Sequence, residues 1–278
     1  MKKRMVITDF DGTLLNSEHK VDQADFYHLE QLGQKNIVRV IATGRSLFSL
    51  QKVITEDFPI DFIIFSSGAG IYDWGRSELL YSTHLNANKV EKASYILYKH
   101  EIDFFVHSKI PYNHKFDFYY FGDGEPDTWR RINLYDNYAR QINNFTNYSF
   151  KDSSQVIGIS KQDKNLYLSI DTELSDLNVI RTTSPLDNES MWLEIFPNDV
   201  SKSKTCKKLC QRLNISTSRT IGIGNDYNDR DLLKWTEESY VMQNAPEELK
   251  EEFITTASND ENGFSKVVSS ILNKTNVS

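Results

Sequence analysis

The sequence predicts an α/β protein: a doubly wound, Rossmann-like parallel sheet interrupted by an inserted α/β module. Three observations predict it. Short apolar runs, polar turns and helical patterns alternate through the first third of the chain. The character changes near Leu85. The first pattern then returns in the last third. Strand–turn–helix repetition builds a parallel sheet, because each crossover places a helix on a sheet face.

In chain order, Met5-Val6-Ile7 reads as a buried strand that ends at the polar turn Asp9 to Thr13. Val21 to Leu32 has helical spacing and stops near Gly33. Ile37 to Ala42 is a second β-rich run, ending at Thr43-Gly44-Arg45, and Ser46 caps the helical stretch that follows. Ile60 to Phe65 is a third run, ending at Ser66-Ser67-Gly68. In the middle module, Asn88 to His100 is helical and Phe104-Phe105-Val106 is a strand. An aromatic stretch, Phe116 to Phe121, leads into the polar turn Gly122 to Pro126. Further strands are expected at Val156 to Ile159, Leu166 to Ile170 and Trp192 to Phe196. The last third offers a helix over Ser203 to Leu213, strands at Thr220 to Ile223 and Tyr240 to Met242, a helix over Ser265 to Leu272, and a frayed polar tail, Asn273 to Ser278. The expected division is a core of residues 1–83 and 195–278 around an insertion of residues 84–194.

Composition narrows the function classes. A chain of 278 residues suggests two domains at roughly 150 residues each. The net charge of -7 and the lack of any Lys/Arg-rich run disfavour a nucleic-acid partner. No stretch approaches the ~18 consecutive apolar residues of a membrane span. The basic start, Met1 to Arg4, precedes an apolar run that ends at Asp9, too short for a signal peptide. The expectation is a cytoplasmic protein, monomeric or homodimeric. Cys206 and Cys210, four apart, read as small helix residues near the core. Tyr112, Phe118, Tyr119 and Tyr120 read as core of the insertion rather than a sugar-stacking surface, and His107 and His114 as surface or satisfied residues.

The chemistry gathers at Asp9-Phe10-Asp11-Gly12-Thr13. Two carboxylates, two residues apart, follow a buried strand, at the strand end where open α/β sheets bind ligands. An aspartate can attack phosphorus and form an acyl phosphate. A second carboxylate can protonate the leaving oxygen and then activate water. Two close carboxylates repel, so such a site calls for a cation, and Mg²⁺ suits hard oxygen ligands. The plain alternative is that Asp11-Gly12 marks an ordinary turn.

Asp9-Phe10-Asp11-Gly12-Thr13-Leu14-Leu15 resembles the first motif of the haloacid dehalogenase-like phosphatases. That resemblance makes Asp9 the nucleophile and Asp11 the general acid/base, with the Asp11 carbonyl on Mg²⁺. Ala42-Thr43-Gly44-Arg45 looks like the second motif, whose Thr hydroxyl bonds the transferring phosphoryl group. Val200-Ser201-Lys202 resembles the third, whose Lys neutralises nucleophile and phosphate, with Lys204 a rival two residues on. Gly224-Asn225-Asp226-Tyr227-Asn228-Asp229 looks like the fourth, the acidic Mg²⁺ loop. Asn244-Ala245-Pro246 and Asn259 to Gly263 resemble later signatures of the Cof-type branch, whose members carry an inserted α/β cap. The implied metal ligands are Asp9, Asp11, Asn225 and Asp229. The implied phosphate or substrate contacts are Gly12, Thr13, Gly44, Arg45 and Asn228.

The sequence departs from the pattern at two places. Asn225 stands where that motif usually carries Asp, so either Asp226 or Asp229 supplies the missing charge or metal affinity falls. Ser67 stands where Asn is common. The expected activity is Mg²⁺-dependent hydrolysis of small phosphate monoesters, sugar phosphates or phosphorylated cofactors. A non-catalytic phosphometabolite sensor and a sugar phosphomutase are the alternatives.

Overall fold

The computed structural model describes residues 4–187 and 189–276. The basic Met1 to Lys3 and the last two tail residues lie outside them. The chain forms two compact units, Met1–Tyr81 with Ser201–Ser278, and Ser82–Val200. The return to the first unit comes at Ser201, later than the expected residue 195, because the strand over Met191–Pro197 pairs within the second unit.

The first unit begins with β1 (Met5–Thr8), α1 (Gln23–Gln34), β2 (Val38–Ala42), α2 (Leu47–Leu50) and β3 (Phe62–Phe65). Two strands that the sequence reading missed follow: β4 (Gly70–Asp73) and β5 (Glu78–Ser82). The second unit holds α3 (Ala87–Lys99), β6 (Asp103–His107), β7 (Phe116–Tyr119), α4 (Pro126–Leu134), β8 (Ala139–Gln141), β9 (Val156–Ser160), α5 (Lys164–Glu173), β10 (Leu177–Thr183) and β11 (Met191–Pro197). The chain then completes the first unit with α6 (Lys202–Leu213), β12 (Thr220–Gly224), α7 (Arg230–Trp235), β13 (Glu238–Val241), α8 (Glu247–Lys250), β14 (Ile254–Thr255) and α9 (Gly263–Asn276).

The first sheet has the order β14-β13-β12-β1-β2-β3-β4-β5. Its strands pair in parallel from β14 through β3, and β4 adds antiparallel to β3. The doubly wound parallel core is therefore present, with a β4–β5 edge outside it. β1 is all apolar up to Thr8 and fully buried, as a central parallel strand must be. Met5 and Ile7 share a core with Cys206, Leu209 and Cys210 of α6 and Leu232 of α7. Alternation turns Val6 to the other face, where α1 packs on β2 and on α9. Strand order reverses direction on either side of β1, and ligands bind at the carboxyl ends of strands at such a switch point.

The second sheet has the order β10-β11-β9-β6-β7-β8 and is antiparallel except for β7–β8. Val90, Ala93 and Leu97 of α3, with Ile170 of α5, cover one face through Phe104, Val156 and Leu193. Phe105, Phe116, Phe118 and Trp192 line the other face, with Ile132 and Tyr135. Phe116 and Phe118 are thus core of this unit and Tyr119 and Tyr120 are half-buried, whereas Tyr112, also expected in that core, is 61% exposed. His107 is buried and its Nδ1–H donates to the Asn113 carbonyl at 2.6 Å.

Leu166 to Ile170, expected as a strand, is helical. Leu166, Leu168 and Ile170 alternate as a strand face would, yet Leu168 is exposed while Ile170 and Leu174 are buried, the spacing of a helix. Asp163 caps the helix by accepting from Asn165 N and Leu166 N. α4 begins with proline at its N-terminus, where the missing N–H costs nothing, although Gly122 to Pro126 reads from sequence only as a turn. Among the described residues, no helix is long and apolar enough to cross a membrane.

Candidate active site

The strand ladder fixes where the carboxylates stand. Thr8 pairs with Ile41 on one side and Ile223 on the other, and Asp9 N donates to Ile223 O at 2.8 Å. Asp9, Thr43 and the loop after Gly224 therefore emerge together at the carboxyl ends of β1, β2 and β12. After Asp9 the chain must turn at once, and Gly12 does so with φ of +71°. Leu14 N and Leu15 N donate back to Phe10 O, closing the loop.

Three further contacts fasten this loop. Asn244 Nδ2 donates to Gly12 O at 2.9 Å, Asn259 Nδ2 donates to Leu15 O at 2.9 Å, and Asn259 N donates to Asn244 Oδ1 at 3.2 Å. Sequence reasoning quoted both asparagines without giving them a role. Their signal was an amide beside a turn, which only tertiary structure attaches to a loop more than 200 residues away.

Lys202 is the first residue of α6 and is fully buried, whereas Lys204 is exposed. Ser201 sets that start by accepting from Lys204 N. Lys202 Nζ donates to Asp9 Oδ1 at 2.6 Å and to Asp229 Oδ1 at 2.6 Å, with Asn228 Oδ1 at 3.4 Å. Burial alone would lower the pKa of this ammonium, but the Asp229 and Asp9 carboxylates outweigh it and hold the lysine charged. Burial, and then the charge of Asp229, push the Asp9 carboxyl up to about 8 against the pull of Lys202. Ionising Asp9 puts a second carboxylate beside Asp229 in a dry site with one ammonium between them, and a further cation beside Asp9 would favour that ionised form.

Asp229, expected among the metal ligands, is committed elsewhere. Its Oδ1 accepts from Lys202, and its Oδ2 accepts from Asn225 N at 2.9 Å and Asp226 N at 3.1 Å. It is fully buried and orients the lysine and the loop. Asn228, expected at the substrate, turns its oxygen toward Lys202. Arg45, also expected at the substrate, grips Asp11 side-on through one guanidinium edge, Nε donating to Oδ2 at 2.8 Å and Nη2 to Oδ1 at 2.6 Å. Such a bidentate fork fixes the carboxylate plane.

Thr43 is buried, and its hydroxyl oxygen accepts from Arg45 N at 3.1 Å. Gly44 completes the half-buried turn between them. The 66–68 turn holds that segment: Ser66 N donates to Arg45 O and Ser67 N to Thr43 O. Ser66 and Ser67 both adopt positive φ. At Gly68 a Cβ would stand 2.4 Å from Ser201 O, so only glycine lets the start of α6 approach.

Among the described residues, no three His, Cys, Asp or Glu side chains gather as a metal site. Oxygens of other kinds do converge. One end of the Asn225 amide lies 2.9 Å from Asp11 O, 3.1 Å from Asp9 Oδ2 and 2.9 Å from Thr13 Oγ1. Oxygens at adjacent positions around octahedral Mg²⁺ stand about 3.0 Å apart when each is about 2.1 Å from the ion. The spacings from Asn225 Oδ1 to Asp11 O and to Asp9 Oδ2 match adjacent positions of such a shell.

Residues 6–268 match a family model described as haloacid dehalogenase-like hydrolase. The chain is similar to a putative phosphatase of Haemophilus influenzae, 26% identical over 89% of this chain and 88% of the relative. It is also similar to the 5-amino-6-(5-phospho-D-ribitylamino)uracil phosphatase YwtE of Bacillus subtilis, 26% identical over 97% and 98%. Its fold is like that of the HAD subclass IIB sugar phosphatase BT4131, with a TM-score of 0.76, 19% identity and coverage of 96% and 98%.

Proposed function

We infer a phosphatase function from a chain that belongs to the haloacid dehalogenase-like hydrolase family, in its Cof-type branch. The reading is a Mg²⁺-dependent phosphatase that hydrolyses small phosphate monoesters, sugar phosphates or phosphorylated cofactors. The observation that carries it is the buried Asp9–Lys202–Asp229 ion cluster beside an Asp11 carboxylate that Arg45 holds in place. The chemistry acted on by the Bacillus relative, a phosphoribityl ester by its name, supports the substrate class.

Asp9 attacks phosphorus in line, and the bond from phosphorus to the ester oxygen breaks. Asp11, with one oxygen freed from Arg45 and protonated, gives that proton to the departing alkoxide. Asp11 then takes a proton from water, which attacks phosphorus, releases inorganic phosphate and restores Asp9. Lys202 neutralises part of the developing charge, and the Thr43 hydroxyl is offered to the phosphoryl oxygens. Arg45 acts through Asp11 by holding the acid at one angle. Mg²⁺, held by Asp9 Oδ2, Asp11 O and Asn225 Oδ1, would supply charge that keeps Asp9 ionised and offsets the phosphate. The partner is a small phosphorylated metabolite.

Phosphate release from an aryl phosphate and from a panel of phosphorylated metabolites tests the reading. Turnover with Mg²⁺, abolished by excess chelator, is the expected result. Binding of a phosphorylated metabolite with no phosphate release would replace the enzyme by a sensor, and isomerised product without free phosphate would make it a mutase.

A further inference from the structure

The end of the Asn225 amide that faces the carboxylates admits two chemically opposite groups. If it is the NH₂, it donates to Asp11 O and Asp9 Oδ2, both of which only accept, and Thr13 Oγ1 lies in reach as a further acceptor. If it is the carbonyl oxygen, it accepts from the Thr13 hydroxyl and faces two other oxygens at 2.9 and 3.1 Å. Oxygens so close repel unless a cation lies among them. The first orientation is complete without metal, and the second calls for it.

The surroundings accommodate either orientation. A hydroxyl both donates and accepts, so Thr13 serves each orientation without moving. The amide's two ends are nearly the same size, and its terminal torsion has two broad, near-equivalent minima. A Cβ at Gly12 would stand 2.5 Å from Asn225 Nδ2, so the glycine leaves room for the far end of the amide. The neighbouring carboxylate that could compete, Asp229, has both oxygens engaged.

We propose that Asn225 is a two-position latch: its NH₂ ties Asp9 to the Asp11 carbonyl in the metal-free protein, and the amide turns over to offer its oxygen when Mg²⁺ binds. Two consequences follow from the charges. Metal must displace two hydrogen bonds and gains no carboxylate from this position, so Mg²⁺ binds weakly. The pocket keeps its shape without metal, because the latch replaces the ion. The inference rests on reading this pocket as the phosphoryl-transfer site, yet its test needs no substrate, so its failure is distinct from an absence of phosphate release.

Mg²⁺ titration of the metal-stripped protein by calorimetry, with melting curves, compares the natural chain with Asn225→Asp and Asn225→Ala. The aspartate variant is expected to bind Mg²⁺ at least tenfold more tightly. Without metal it is expected to melt below the natural chain, because its carboxylate then faces Asp9 Oδ2 and Asp11 O, and Mg²⁺ restores it. The alanine variant brings no new charge and keeps the test open where the aspartate variant fails to fold. It is expected to melt about 2–4 °C lower than the natural chain without metal, since it loses hydrogen bonds there. Equal Mg²⁺ affinity of the natural chain and the aspartate variant would overturn the latch. So would an alanine variant whose metal-free melting point is unchanged.

Discussion

Lys202 is buried between two carboxylates, and that arrangement makes each partner's removal costly in a different way. Asp229→Ala leaves the ammonium with one partner and strands two backbone N–H groups of the 225–226 turn. Breaking a buried ion pair from one side costs about 3–5 kcal/mol. Denaturant melts should show a loss of that size, and a loss below about 1 kcal/mol would remove Asp229 from its structural role. Asp9→Asn keeps the shape and removes the repulsion from Asp229, so the fold should survive while turnover falls at least about 10³-fold. Retained phosphate release in that variant would refute Asp9 as nucleophile. Arg45→Lys keeps a cation near Asp11 but loses the planar fork. kcat should drop about 10–100-fold with KM little changed, since general acid–base catalysis contributes about 10²–10⁴. A rise in KM with unchanged kcat would instead place Arg45 on the substrate. Asp9, Asp11 and Lys202 were legible in the sequence because motif order carries them. The attachments of Arg45, Asn228 and Asp229 were not, because a charged side chain in a string of letters shows its type and not its partner.

At the scale of elements, local chemistry and tertiary demand agree in most places. β1 is four buried residues ending where the chemistry starts, and its apolar run reads directly from the sequence. α6 starts where Ser201 caps it, which sets Lys202 at its first turn. α5 is the element that misled. Its apolar residues alternate locally, but burial of Ile170 and Leu174 against the second sheet selects the helix. Asp163 contributes to that choice through two backbone N–H groups. Asp163→Ala should cost about 1 kcal/mol, read as a lower melting point. An unchanged midpoint would mean that packing alone holds the helix. β4 and β5 escaped the sequence reading because an edge hairpin carries a weaker apolar signal than a central strand: β5 is largely exposed or half-buried.

Each of the two units has its own buried polar centre. In the second unit His107 is buried, with Arg131 Nη2 donating to its Nε2 at 3.1 Å. Burial, and then the Arg131 charge, push its pKa down to about 3. An unfolded His titrates near 6.5, so between pH 6.5 and about 3 the unfolded chain binds the extra proton and the folded chain does not. Stability from this group is therefore full above pH 6.5 and is lost as pH falls. Between pH 6.5 and 4.5 the loss should be about 2–3 kcal/mol, and His107→Gln should flatten that slope. An equally steep slope in the variant would assign the acid sensitivity to other groups. By itself the sequence determined the alternation that makes a parallel sheet, the insertion within it, and the order of the motifs, because period, turn chemistry and chain order are local properties. Only the tertiary structure decided which oxygens meet: that Asp229 serves Lys202, that Arg45 serves Asp11, and that the Asn225 amide stands against Asp9 and Asp11. Those choices are made by strand order and by burial, which force the ends of β1, β2 and β12 and the start of α6 into one volume and oblige every polar atom there to find a partner.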